Sequence, residues 1–195
     1  MTLPHERPTA SAEAAALASR IADLIPVIET ERCRLRAPQI EDFPAHAEIA
    51  CSERGLGIGG PMNREAAWAD FVQLCATWLL RGHGAWTVED RTTREVLGFV
   101  AIGFEPGDLE PELGYMFRET AEGRGLASEA VAAARDHGFG ALHLPTLVSY
   151  VDDFNTRSRR LAERLGAARD TAGEAQLPGP GKTHIYRHPA PEARS

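Results

Sequence analysis

Residues 112–130 read Glu-Leu-Gly-Tyr-Met-Phe-Arg-Glu-Thr-Ala-Glu-Gly-Arg-Gly-Leu-Ala-Ser-Glu-Ala, and this stretch decides the fold. Glu112 to Phe117 has strand composition, and a glycine-rich loop follows it. An alanine-rich helix then runs from Leu126 to Phe139, ended by Gly138 and Gly140. A strand–glycine loop–helix junction leaves backbone N–H groups free at the positive end of a helix dipole, where an anion such as a phosphate can sit. Gly123 and Gly125 carry no side chain to block close approach, and Ala127 keeps the first turn slim. The helix face Ala130 to Ala134 is small enough to lie tight on a sheet. Other phosphate loops fit less well. There is no G-x4-G-K-[ST], and G-x-G-x-x-G is broken by Ser128. Read alone, the loop is equally a plain strand-to-helix turn that uses glycines for conformation.

Outward from that loop, the chain reads as a mixed α/β unit. Arg32 to Arg36 alternates as a strand before Pro38, and Ile40 to Cys51 has a helical period. A glycine run, Gly55 to Gly60, is either a flexible lid or a bland connector. Asn63 caps a helix through Leu80 with Trp68, Phe71, Leu74, Cys75 and Trp78 on one face. Ala85–Asp90 and Val96–Phe104 form a hairpin around a polar turn. After the Leu126 helix come a strand at Thr146–Val151 and a helix at Asn155–Leu165. A long polar loop (Asp170–Gly181) and a last strand (Thr183–Arg187) complete the pattern. A central meander with late crossovers indicates an α+β, mixed α/β domain rather than a doubly wound nucleotide fold. The expected division is an N-terminal extension over residues 1–28, a domain over 29–190 and a disordered tail over 191–195. In the extension Ser11 caps a helix through Leu24 whose apolar face packs on the domain or on a second subunit.

A length of 195 residues suits one domain with appendages. The 43% hydrophobic and 25% charged fractions are those of an ordinary globular protein. Apolar stretches fall short of the roughly 20 residues of a spanning helix. Met1 to Arg20 shows no basic start followed by an apolar run, so cytoplasmic residence without a membrane partner is expected. The net charge of −7 argues against nucleic acid and fits a cationic ligand weakly. Cys33, Cys51 and Cys75 are odd in number and far apart, and seven histidines lack H-x3-H or H-E-x-x-H spacing. No disulfide framework and no metal site is expected. A nucleophile elbow, G-x-S-x-G, is also missing.

The ordered set E-x-G-Y-M-F, then G-x-G-x-A, then N-x-x-S-x6-L-G resembles the GNAT-type N-acetyltransferases, especially their RimJ/RimL-like branch. It comprises Glu112, Gly114, Tyr115, Met116, Phe117, Gly123, Gly125, Ala127, Glu129, Ala130, Asn155, Ser158, Leu165 and Gly166, and the likeness runs from about Glu29 to His188. One departure is Glu122, where the family has Arg or Gln; Arg118 and Arg124 beside it would offset its charge. The resemblance implies a mostly antiparallel sheet that splays centrally, flanked by helices, and acetyl-CoA as co-substrate. It implies a pyrophosphate cradle from Gly123, Arg124, Gly125, Leu126, Ala127 and Ser128. It also implies a strand edge at Met116, Phe117 and Arg118 for the pantetheine arm, and a hydrogen bond from Asn155.

Direct attack of a primary amine on the thioester would follow, in a ternary complex. The acceptor would be a protein N-terminus, an amino acid or a small amine. An alkyl amine must lose a proton first, so a general base is useful. Glu112 is the candidate base, a solvated strand-end carboxylate being the plainer reading. Ser158 is the candidate proton donor to the leaving thiolate, with Tyr150 behind it. A backbone N–H at Phe117 or its neighbour would steady the developing oxyanion. The competing reading is a non-catalytic acyl-CoA-binding module, and either would work as a monomer or homodimer.

Overall fold

The computed structural model describes residues 3–8, 11–177 and 183–191. Its strands are β1 (Ile28–Glu29), β2 (Cys33–Arg36), β3 (Ala85–Asp90), β4 (Val96–Gly103), β5 (Glu112–Phe117), β6 (Val148–Asp152), β7 (Ala168–Arg169) and β8 (Thr183–Arg187). They form one sheet in the order β1-β2-β3-β4-β5-β6-β8-β7. All neighbours run antiparallel except β5 and β6, which are parallel and share one register pair, Glu112↔Val148. Beyond Glu112 the two strands part. The mixed α/β sheet with a central splay is the architecture expected.

Helices α1 (Ala12–Ala22), α2 (Phe43–Ala50), α3 (Arg64–Arg81), α4 (Leu126–Gly140), α5 (Thr156–Arg164) and the short α6 (Thr171–Glu174) surround the sheet. Strand alternation sends side chains to two cores. On one face, Phe99 meets Phe43, Ala47, Ile49 and Ala50 of α2 and Ala67 and Phe71 of α3. On the other, Trp86, Val88, Val100, Ile102, Leu113 and Phe117 meet Leu126, Ala130, Val131 and Ala134, a helical-spaced stripe on α4. Gly98 lets β4 and β5 close up, since a Cβ there would strike the Met116 carbonyl and come within 2.8 Å of the Phe117 Cα.

Caps act where the sequence places them. Ser11 accepts from the Ala14 N–H at 3.3 Å and Asn63 from the Ala66 N–H at 2.8 Å. Three short elements, β1, β7 and α6, lie where periodicity gave no signal. The glycine run is not a loose connector: Glu53–Ile58 is a 3-10 turn, and a Cβ at Gly55 would run into the Ala50 carbonyl. The apolar face of the N-terminal helical segment does not pack on the domain, Leu17 being 54% and Leu24 82% exposed in the single chain, which leaves a second subunit as the partner that would cover it. Flanking residues stitch the N-terminal segment to the domain all the same. Trp86 Nε1 donates to the Pro26 carbonyl at 2.8 Å, and Arg64 pairs with the buried Glu6. Of the tail at 191–195, residues 192–195 lie outside the described residues, as do 178–182 of the long polar loop.

Candidate active site

The parting of β5 from β6 leaves a groove of about 1270 Å³. Its floor is the free edge of β5. The Leu113 carbonyl accepts from Ser149 Oγ at 2.6 Å and the Phe117 carbonyl from Arg54, so both face away from β4. By strand alternation Tyr115 presents its N–H and C=O the same way, as does the Phe117 N–H. One wall is the 3-10 turn Glu53–Ile58, and the other is α5 from Asn155 to Arg164. The two walls meet at Gly57, where a Cβ would collide with the Asn155 side-chain amide.

The groove runs onto the glycine loop. Gly123 and Gly125 adopt φ of +70° and +77°, which only glycine takes without strain. No amide N–H from Gly123 to Ser128 has a protein acceptor among the described residues, and α4 has no side-chain cap. Free N–H groups at the positive end of a helix, opening on a groove, are a ready anion seat. The loop is braced from behind. Glu129 accepts from Thr30 Oγ1 (2.6 Å), Arg32 N (2.7 Å) and Arg32 Nε (2.7 Å), and Arg32 Nη1 holds the Arg124 carbonyl at 2.8 Å.

Glu112 stands at the point where the sheet splits. Its carboxyl lies beside Gly114, on the face of β5 that carries Met116. Burial first, then the nearby carboxylates of Asp108 and Glu105, push its pKa up to about 8, against the Tyr150 main-chain N–H that draws it down. Tyr115 projects from the opposite face, and its phenol donates to the Ser158 carbonyl at 3.0 Å. Burial raises the phenol's pKa above its ordinary value, keeping it a neutral donor at physiological pH. Asn155 Oδ1 caps α5 through the Ser158 N–H at 3.2 Å, and Ser158 lines the groove.

The acetyltransferase (GNAT) domain profile matches residues 32–168, most of the chain. The chain belongs to the GNAT acetyltransferase family. An acetyltransferase from Agrobacterium tumefaciens is 39% identical, with a TM-score of 0.78 over 84% of this chain and 94% of that one. An uncharacterized N-acetyltransferase of Bacillus licheniformis is 30% identical over 70% of this chain and 79% of its own length. Bacillus subtilis YkkB is 36% identical, but the match spans only 52% of its length and 44% of this chain. RimL, a ribosomal-protein α-N-acetyltransferase solved with coenzyme A, shares the fold at 18% identity and a TM-score of 0.66, over 85% of this chain and 98% of that one.

Within this GNAT domain the structure sorts the sequence candidates. Met116, Phe117, Gly123, Gly125, Ala127, Ser128, Asn155 and Ser158 line one groove. Leu126 is buried beneath the loop, so only its main chain is near the groove. The Arg118 side chain is turned away, held by Glu48 (2.8 Å), Glu95 (3.2 Å) and the Val96 carbonyl. That of Arg124 leans to Asp90 at 3.6 Å. Neither arginine offsets Glu122; Arg54 and Arg157 do. Glu112 lies beside the groove rather than in its lining, on the opposite face of β5 from Ser158. Tyr150 spends its hydroxyl on the Leu109 and Glu110 N–H groups, which fixes the β4–β5 loop. The sequence placed Tyr115 in the motif without a role and gave no sign of Arg54. Period-two spacing from Phe117 marks Tyr115 as facing the same way, whereas Arg54 had no local signal.

Proposed function

We propose that this protein transfers the acetyl group of acetyl-CoA to a primary amine, by direct attack within a ternary complex. The observation that carries the reading is the split sheet, whose free β5 edge leads straight to the unpaired amides of Gly123–Ser128. The residues fit the co-substrate. Positive-φ glycines and free N–H groups suit a pyrophosphate, and the outward main chain of Tyr115 and Phe117 suits an amide-bearing arm, much as an added strand would. Bound there, acetyl-CoA supplies an activated thioester.

The chain's own groups do the rest. Asn155 Oδ1 is used by the helix cap, so its amide nitrogen is the donor left for the arm. The Phe117 N–H points where a polarised carbonyl oxygen needs a donor, a contribution of about 3–4 kcal/mol when well placed. Glu112 takes the proton of the incoming ammonium, directly or through water, and its raised pKa suits a base working near neutrality. Ser158, or Tyr115 beside it, returns a proton to the departing sulfur. The carboxylates of Asp108 and Glu105 near Glu112 favour an acceptor that carries positive charge, whether a protein N-terminus, an amino acid or a small amine.

Free coenzyme A release from acetyl-CoA, screened against amines, polyamines, amino acids and short peptides, tests this. Amine-dependent release is expected, with Glu112→Gln and Ser158→Ala losing rate while keeping affinity. A thermal shift with acetyl-CoA but no release across the panel would favour a non-catalytic acyl-CoA module. Neither release nor shift would remove acetyl-CoA from the account.

A further inference from the structure

Glu122 occupies the first position of the glycine loop, an unexpected place for a carboxylate beside an anion seat. It does not stand free. Arg157 Nη1, from α5, reaches it at 2.7 Å, and Arg54 Nη2, from the facing 3-10 turn, holds the same oxygen. Arg54 also grips the free edge of β5, donating to the Phe117 carbonyl through Nε (3.3 Å) and Nη2 (3.1 Å). Arg54, Glu122 and Arg157 all line the groove. Neither arginine pairs with another carboxylate among the described residues. One carboxylate therefore holds two cations, drawn from opposite walls, across the groove beside the unpaired amides.

Two guanidinium groups around one carboxylate leave an excess of positive charge. The 3′-phosphate, or the pyrophosphate taken as a whole, carries more charge and more acceptor oxygens than a carboxylate, and matches the guanidinium fork at least as well. We propose that Arg54 and Arg157 bind a phosphate group of the coenzyme A nucleotide, and that Glu122 stands in for that phosphate until the nucleotide arrives. The inference rests on the acetyl-CoA reading. Glu122 then has two consequences. It keeps the arginines aimed and the 3-10 turn drawn over the groove, and it competes with the ligand, weakening binding and speeding release of coenzyme A. The competitor's strength is set by two partly exposed ion pairs, each worth about 0.2–1 kcal/mol.

Calorimetric titration of coenzyme A into the full chain tests this without turnover. Glu122→Gln is expected to tighten binding about three- to tenfold. Arg54→Gln with Arg157→Gln should weaken it, and adding Glu122→Gln to that pair should then change nothing. 3′-Dephospho-coenzyme A separates the two phosphate sources. If the Glu122→Gln gain persists with it, the pyrophosphate is the partner; if the gain vanishes, the 3′-phosphate is. Wild-type binding that Glu122→Gln leaves equal or weaker would overturn the stand-in. So would a gain that survives loss of both arginines, because Glu122 would then merely repel the ligand. If the wild-type chain and all variants fail to bind, the acetyl-CoA reading falls first and takes this inference with it.

Discussion

Glu112 is the residue whose chemistry is most altered by its place. Its half-buried carboxyl sits where β5 leaves β6, near the carboxylates of Asp108 and Glu105, and its pKa rises to about 8. A base must be ionised to act, so kcat/KM should climb as pH rises through about 8. In Glu112→Gln that inflection should disappear, leaving only the slope from the amine's own ionisation. Unchanged inflection in the variant would assign the base elsewhere. The same shift has a stability consequence of opposite sense. The folded state prefers the neutral carboxyl, so nothing is lost below about pH 4.5, and stability falls as pH rises through about 8. Glu112→Gln should therefore match the wild-type Tm near pH 4.5 and exceed it at pH 9, measured by thermal denaturation. A difference that shrank with rising pH would contradict the half-buried, neutral carboxyl.

The loop and its bracing turn act as elements rather than as single residues. Gly125 is held at φ +77°, and a Cβ there would also come within 3.4 Å of Arg32 Nη2. Gly125→Ala should cost about 1 kcal/mol in stability and weaken coenzyme A binding, because the strained turn no longer aims its amides. Gly57→Ala separates the two effects. Its Cβ would displace the Asn155 amide across the groove while leaving both cores untouched. Calorimetry should show weakened coenzyme A binding, with stability lowered by no more than the α5 cap is worth, about 1 kcal/mol. Equal affinity would mean that Asn155 does not touch the arm. Both elements differ in how far the sequence revealed them. The glycine loop was legible because its residues, its strand and its helix are contiguous, and Ser11 and Asn63 marked helix starts by local hydrogen bonding. The Gly55–Gly60 run signalled only a break. What orders it is contact with Ala50 and Asn155, and the hold of neighbouring Arg54 on Phe117 and Glu122, up to about a hundred residues away, and no local pattern encodes that. Arg118 and Arg124 misled for the same reason, since these sequence neighbours of Glu122 point to α2 and β3. The short strands β1 and β7, two residues each, are too brief for any period to show.

At the scale of the whole molecule, the split makes two bodies of one sheet. Strands β1–β5 with α2, α3 and α4 form the larger part. Strands β6, β8 and β7 with α5 form the smaller, centred on Val151, Ala162, Ala167 and Tyr186. Between them the sheet offers a single register pair, reinforced by Ser149 bonding across to Leu113 and by α4 packing on both. A ligand seated in the groove would touch the β5 edge, the α4 N-terminus and α5 together, and so tie the two parts where the backbone does not. Binding only to the folded state stabilises by about 2.7 kcal/mol at 100 times Kd. For a chain of this size each kcal/mol moves Tm by about 2–4 °C. Saturating coenzyme A should therefore raise Tm by about 5–10 °C. Hydrogen exchange should slow in β6 and α5 as well as in the loop, because the ligand spans the split. Protection confined to residues 123–128 would mean an anion site alone, with no arm along β5, and would leave the two halves of the sheet uncoupled.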